Sequence, residues 1–64
     1  MNSRKLTVAV IDDEAISRQG LITRLAEIGN VDVVAECASA EQAMQALSRV
    51  KPDLMLVDIN MPKT

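Results

Sequence analysis

The chain has 64 residues, a net charge of −2 at neutral pH and 48% hydrophobic residues, which suffices for one small domain. It contains one cysteine, no histidine and no aromatic residue. An internal disulfide and a zinc site built from cysteine and histidine are therefore excluded, and the core must be aliphatic. The acidic balance argues against a general nucleic-acid-binding surface. We find no apolar stretch near the roughly 18 residues of a membrane span and no signal peptide pattern, and we expect a cytoplasmic protein.

The first half of the chain predicts a strand, a helix and a second strand. The run LTVAVI at 6–11 is nearly continuous, apolar and rich in β-branched residues, which is typical of a strand covered on both faces. Leucine and isoleucine at helical spacing predict an amphipathic helix over 14–28. It is followed by Gly29 and Asn30, residue types that end helices in a left-handed conformation. The segment VDVVAEC at 31–37 predicts the second strand.

The second half predicts one more helix and one more strand. Ser39 followed by Gln42 has the form of a capping box, and Pro52 limits the helix that it opens. The run LMLV at 54–57 predicts the third strand. Gly20 inside the first helix indicates close packing there, and the methionines, except Met61 beside the acidic crevice, are expected to fill the core. The order βαβαβ predicts an α/β fold with parallel strands joined by right-handed crossovers.

Acidic residues follow the first and third predicted strands. Asp12 and Asp13 come after the first strand, and Asp58 comes after the third. A strand order of 2-1-3, as in flavodoxin-like doubly wound sheets, brings all three to the crevice between these strands. Carboxylates gathered there suit Mg²⁺, with the main-chain carbonyl of Asn60 as a further ligand. With the cation bound, one carboxylate can attack phosphorus and form an aspartyl phosphate.

Each acid alone also has a purely structural interpretation. Asp12 or Asp13 can cap the first helix, an arrangement that contributes about 1 kcal/mol. Asp58 can belong to a turn, and Glu14 can complement the helix dipole. Cys37 is expected to be a small core residue. Only the coincidence of acids at two adjoining strand ends favours a functional site.

Three segments together resemble the receiver domain of bacterial two-component response regulators: VAVIDDEAISRQGLITRL, VVAECASAEQAMQAL and KPDLMLVDINMP. The segment VVAECASAEQA most resembles the LuxR/NarL-type subfamily, whose members carry a helix-turn-helix DNA-binding domain. The resemblance implies that a histidine kinase phosphorylates Asp58. It implies that Asp13, Asp58 and the Asn60 carbonyl bind Mg²⁺ directly, and that Asp12 acts mostly through water. It also implies a kinase-docking surface at the start of the first helix, formed by Glu14, Ala15, Ser17 and Arg18.

The same resemblance implies a domain of roughly twice this length. Residues 1–64 are therefore expected to form the N-terminal half of a receiver, a flavodoxin-like sheet truncated to βαβαβ. The last two strands, with the hydroxyl residue and the lysine that contact the phosphoryl group, would lie elsewhere, as would any DNA-binding domain. Because the third strand would then be an exposed apolar edge, we expect homo-oligomerisation through it.

The leading interpretation is a phosphoacceptor module that controls an output domain in transcription regulation, and not an enzyme. Two alternatives stay open. One is an inert or engineered receiver fragment that self-associates without signalling. The other is a Mg²⁺-dependent phosphohydrolase that uses an aspartyl phosphate. Such hydrolases place two acids one residue apart after the first strand, whereas Asp12 and Asp13 are contiguous.

Overall fold

A computed structural model describes residues 5–58, which form three parallel strands and two helices in alternating order. The elements are β1 (Leu6–Asp12), α1 (Ala15–Ile28), β2 (Val31–Cys37), α2 (Ala40–Leu47) and β3 (Leu54–Asp58). The strands lie in the order β2-β1-β3. The predicted parallel, flavodoxin-like α/β arrangement is therefore confirmed.

β1 is the centre of both the sheet and the core. The four residues from Val8 to Ile11 are no more than 2% exposed, because β1 has a strand on each side and packs against α1. Cys37 and Ala43 join Ile11 in one buried cluster. The predicted core role of Cys37 is confirmed.

The two ladders of β1 differ in regularity. Against β2, the register shifts after Val8, and Val34 is the extra residue of a β-bulge. Against β3, the register runs without a shift from the pair Val8–Leu54 to the pair Asp12–Asp58. The last residues of β1 and β3 are therefore direct neighbours.

A group of hydrogen bonds between Thr7 and Asp53, which we call the Thr7–Asp53 clasp, anchors the beginning of β3 to β1. The main-chain N–H and the hydroxyl of Thr7 donate to Asp53 Oδ2 at 2.9 and 3.0 Å. The Asp53 N–H lies within hydrogen-bond distance of both the Thr7 hydroxyl oxygen and the Thr7 carbonyl, at 3.0 and 2.9 Å. The clasp joins residues 46 positions apart and holds the register that pairs the acids at the other end of β3.

α1 is only partly covered by the rest of the chain. Leu21, Ile22 and Leu25 are half-buried, but Ile28 is 65% exposed and no residue of the helix is fully buried. Gly29 follows the helix with a φ of +100°. Residues other than glycine rarely adopt a positive φ, so Gly29 is suited to this position. The predicted end of the helix at Gly29 is confirmed.

Gly20 lies in open surroundings, so the prediction of close packing there is wrong. A Cβ atom at this position would meet nothing within 4 Å. We expect Gly20→Ala to raise the free energy of unfolding by about 0.5–1 kcal/mol, because alanine favours the helix and restricts the unfolded chain. Urea unfolding followed by circular dichroism measures the change. Gly29→Ala is the matched control and should destabilise the chain, because its space is equally open but its φ is positive. A destabilised Gly20→Ala variant would contradict the prediction.

α2 begins with the predicted capping interaction. Ser39 Oγ accepts a hydrogen bond from the Gln42 N–H at 3.1 Å. Gln42 Oε1 in turn accepts from the N–H of Ala38 at 2.8 Å, one residue earlier than in an ideal capping box. The helix ends at Leu47, well before Pro52.

Several large apolar side chains are exposed. Met44 is 73% exposed and Met55 is 45% exposed, so the prediction that methionines fill the core is wrong for these two. In β3, Leu54 and Val57 are 47% and 57% exposed. Within residues 5–58, neither helix has the length and apolar character that crossing a membrane requires.

Candidate functional site

The candidate site lies where β1 and β3 end, at the carboxyl edge of the sheet. Asp12 and Asp58 are paired in register there. Both line a cavity of about 350 Å³ whose other wall is α1. The α1 residues that line it are Ser17, Gly20, Leu21 and Arg24. Two of the three acids predicted for the site therefore share one cavity.

Asp12 is buried, with 3% of its surface exposed, and it organises the turn between β1 and α1. Its Oδ1 accepts a hydrogen bond from the Glu14 N–H at 2.9 Å, which is an Asx-type turn. Its main-chain carbonyl accepts a hydrogen bond from Arg18 Nη1 at 2.7 Å. The N-cap residue of α1 is Glu14, whose side chain makes no capping bond. Asp12 therefore stabilises the start of α1, although it lies two residues before Glu14, the N-cap residue of that helix.

Asp13 differs from its neighbour in both exposure and position. It is exposed and does not line the cavity that Asp12 and Asp58 share. The difference arises because β1 ends at Asp12 and the chain bends at Asp13. Asp58 is also exposed, although it ends a strand. Asn60 lies outside the described residues, so its carbonyl as a ligand stays a prediction.

The predicted docking residues at the start of α1 are mostly accessible. Glu14, Ala15 and Ser17 are exposed, and the Ser17 hydroxyl donates to Glu14 Oε1 at 3.3 Å. Arg18 is half-buried because its guanidinium group binds the Asp12 carbonyl. Ile16 between them is 84% exposed and adds an apolar side chain to this surface.

The carboxylate oxygens at the carboxyl edge of the sheet are the type of ligand that Mg²⁺ prefers. This cation is usually held by one or two carboxylates together with water and phosphate oxygens. Asp12 and Asp58 supply two carboxylates beside a cavity wide enough for water. Residues 5–58 contain no group of three or more His, Cys, Asp or Glu side chains that could hold a metal ion. The expected group of three carboxylates is therefore not assembled within that range, and the ligand assignments stay predictions.

The sequence reasoning missed the α1 wall of the cavity. The sequence predicts a docking role for Ser17 and a packing role for Gly20, and it predicts no role for Arg24, but all three line the cavity. Arg24 supplies a cationic side chain to a cavity that otherwise carries two carboxylates. These positions are spaced as i, i+3 and i+7, which is one face of a helix. That spacing is the signal that could have identified them.

Comparison with known proteins gives consistent results. The family model described as "Response regulator receiver domain" matches residues 8–64. Uncharacterized response regulatory proteins of Yersinia pestis and Vibrio vulnificus are 41% and 40% identical to the chain over 58 residues. The transcriptional regulatory protein BtsR of Escherichia coli K12 is 33% identical over 58 residues. Each alignment covers 91% of this chain and 24% of the relative, so the chain spans about a quarter of these relatives' length. No solved structure matches the chain significantly.

Proposed function

This chain belongs to the response regulator receiver domain family, and on that premise we propose that it is a phosphoacceptor module of two-component signalling. The observation that carries the proposal is the in-register pairing of Asp12 with Asp58. It sets an exposed carboxylate beside a buried one at a single cavity. Receiver domains are regulatory, so the relevant property is the modification state of Asp58.

The proposed step is transfer of a phosphoryl group to Asp58 from a histidine kinase. A carboxylate oxygen of Asp58 forms a bond to phosphorus while the bond from phosphorus to the kinase imidazole nitrogen breaks. The electron pair of the broken bond stays on that nitrogen, and the kinase imidazole leaves as a neutral ring because its other nitrogen carries a proton. Asp58 is exposed, which a large donor protein requires. When bound, Mg²⁺ would neutralise charge on the transferring oxygens.

Asp12, the last residue of β1, and Asp13, which follows it, receive different proposed roles. We propose that Asp13 and Asp58 bind Mg²⁺ directly, together with the Asn60 carbonyl, and that Asp12 acts through water. Exposure supports this division, because Asp13 and Asp58 are open to solvent. Asp12 is buried, and one of its oxygens is already engaged by the Glu14 N–H.

The substitution Asp12→Asn removes the negative charge of this residue but keeps an oxygen that can accept its hydrogen bond. The amide oxygen can still accept from the Glu14 N–H, so the free energy of unfolding should change little. Affinity for Mg²⁺ should fall by about 10–100-fold, as is typical when an outer partner of a metal site is lost. A Mg²⁺ titration followed by amide chemical shifts measures the affinity. Asp12→Ala is the control, because it loses the charge and also about 1 kcal/mol of hydrogen bonding. Unchanged affinity in Asp12→Asn would contradict the proposed role.

The proposal extends to partners and to domain organisation. We propose that the kinase docks on the start of α1, at the residues Glu14, Ala15, Ser17 and Arg18. We also propose that residues 1–64 are the N-terminal half of a receiver, and that the chain self-associates through β3. The relatives are about four times longer and one is named a transcriptional regulatory protein, which supports control of transcription through another region. A LuxR-type DNA-binding domain and a cytoplasmic location stay predictions.

Incubation with Mg²⁺ and acetyl phosphate tests the proposed function. We expect one phosphoryl group per chain by intact mass, and fragmentation should place it on Asp58. Saturation at one group distinguishes a phosphoacceptor from a hydrolase, which would release phosphate continuously. If neither an adduct nor a beryllofluoride-induced NMR shift forms, the proposal fails for this chain and the inert-fragment alternative holds.

A further inference from the structure

Arg18 ties the start of α1 back to the end of β1. Its guanidinium Nη1 donates a hydrogen bond to the main-chain carbonyl of Asp12 at 2.7 Å. Its main-chain N–H donates to the Glu14 carbonyl at 2.9 Å, which is the first α-helical hydrogen bond of α1. Because side chains on a helix lean towards its N-terminus, a long side chain at this position reaches the residues before the helix. Arg18 therefore holds the turn between β1 and α1 through both its main chain and its side chain.

Asp13 lies inside that turn, between the residues that Arg18 holds. A third hydrogen bond closes the turn, from the Glu14 N–H to Asp12 Oδ1 at 2.9 Å. The peptide that joins Asp12 to Asp13 is planar, so a bond that fixes its carbonyl also fixes the direction in which the chain enters Asp13. The bond from Arg18 to that carbonyl therefore limits where the exposed Asp13 carboxylate can lie.

The position of Arg18 in α1 is unfavourable for a cation. The helix begins at Ala15, so Arg18 is its fourth residue, and the helix dipole disfavours positive charge near a helix N-terminus. The short, partly buried bond to the Asp12 carbonyl offsets this cost, because hydrogen bonds from a charged donor are among the stronger ones. A residue that conflicts with its own helix in this way is typical of a functional site.

We propose that Arg18 is a positioning residue of the candidate site. It fixes the peptide between Asp12 and Asp13 and so holds the Asp13 carboxylate in the geometry that Mg²⁺ requires. The inference rests on the proposed role of Asp13 as a direct Mg²⁺ ligand. Mg²⁺ demands nearly ideal octahedral geometry, whereas the larger Ca²⁺ accepts irregular arrangements of more oxygens. A turn that is held rigid at Asp13 therefore favours Mg²⁺ over Ca²⁺, and Arg18 sets this preference.

The charge of Arg18 and its hydrogen bond act on a bound cation in opposite directions. The guanidinium repels cations, so removing its charge alone would raise the affinities for Mg²⁺ and Ca²⁺ alike. Losing its bond frees the Asp13 peptide and lowers the affinity for Mg²⁺ more than the affinity for Ca²⁺. A general loss of stability would lower both affinities by the same factor, the fraction of chains that stay folded. The ratio of the two affinities therefore separates positioning from charge and from stability.

Titrations of the chain with Mg²⁺ and with Ca²⁺, followed by amide chemical shifts, test the inference. Arg18→Met keeps an unbranched apolar stem but removes the guanidinium. We expect its affinity for Mg²⁺ to fall by at least about tenfold, and its affinity for Ca²⁺ to fall less. Arg18→Lys keeps a cationic donor on a flexible stem and should recover part of the loss. Arg49→Met is the matched control for charge, because Arg49 is exposed just after α2, and it should bind both cations like the parent.

A measurement on the metal-free chain tests the same bond. The three-bond coupling between the amide proton and the Hα of Asp13 reports the φ angle of this residue. We expect the value of a single φ in the parent, and in Arg18→Met a shift towards the averaged value of an unstructured chain. Circular dichroism verifies that each variant is folded. If Arg18→Met does not fold, Arg18→Lys takes its place, with a smaller change expected in the same direction.

The outcomes distinguish this inference from the proposed function. If the parent binds Mg²⁺ but Arg18→Met binds it equally well or more tightly, the positioning role of Arg18 is overturned while the proposed ligands stand. An equal fall in the affinities for Mg²⁺ and Ca²⁺, or an unchanged coupling at Asp13, also overturns the positioning role. A parent chain that binds no Mg²⁺ overturns the proposed ligand set itself, and the inference with it.

Discussion

Replacing Asp58 by alanine is expected to abolish the phosphoryl adduct of this chain. The carboxylate oxygen of Asp58 is the proposed nucleophile, and alanine has no atom that can replace it. The neighbouring acid of the cavity, Asp12, is buried and already accepts a hydrogen bond. Asp58 is exposed at the end of its strand, so the fold should persist in the variant. Intact mass after incubation with Mg²⁺ and acetyl phosphate measures the loss.

The control for this variant is Asp32→Ala. Asp32 is an exposed acid on β2, the strand on the far side of β1 from Asp58. Its removal should leave the stoichiometry of the adduct unchanged. If Asp58→Ala still gains one phosphoryl group per chain, the acceptor is another acid, and fragmentation would then test Asp13 first.

Replacing Asp53 by alanine is expected to lower the free energy of unfolding by about 2–3 kcal/mol. Two hydrogen bonds from Thr7 to the carboxylate are lost, and each bond to a charged group contributes about 1.5–3 kcal/mol, with solvent exposure favouring the lower end. Domains of this size rarely have more than about 3–5 kcal/mol from their core. The variant should therefore lose most of its stability, which urea unfolding followed by circular dichroism measures.

A double-mutant cycle isolates the side-chain bond of the Thr7–Asp53 clasp. Thr7→Val removes the hydroxyl that bonds the Asp53 carboxylate and lies within hydrogen-bond distance of its N–H. Both changes remove the hydrogen bond from the Thr7 hydroxyl to the Asp53 carboxylate. Because this bond is counted in each single variant, the double variant should be less destabilised than the sum of the two singles. Asp32→Ala is the matched control, with an expected effect within about 0.5 kcal/mol. An Asp53→Ala variant as stable as Asp32→Ala would refute the role assigned to the clasp.

The order of helices and strands along the chain could be predicted because the signals for it are local. The apolar run of β1, the change to helical spacing and the glycine that ends α1 are each contained in a few residues. The clasp could not be predicted in the same way. An acid just before a strand has no distinguishing pattern, and its partner Thr7 lies 46 residues away. Tertiary hydrogen bonds of this kind become visible only once the strands are aligned.

The candidate site was predictable as a set of acids but not in its internal arrangement. Acids after two strands indicate a shared edge, and the pairing of Asp12 with Asp58 agrees with that. The burial of Asp12 and the exposure of Asp13 depend on where the strand stops and how the chain bends. Exposure of Ile28 and Met44 was missed for a related reason. Helical spacing predicts which residues share a face, but not whether another element covers that face.

The central position of β1 also affects how the chain acquires its fold. β1 precedes both of its neighbours in the sequence, and its contact with the start of β3 spans 46 residues. Long-range pairing of this kind raises the contact order and slows folding, because the intervening chain must lose entropy in closing the loop before the stabilising contacts can form. During synthesis, the most buried strand of the sheet therefore emerges first and has to wait for both of its partners. The risk of aggregation on the ribosome therefore lies in β1, the strand whose last residue, Asp12, belongs to the candidate site.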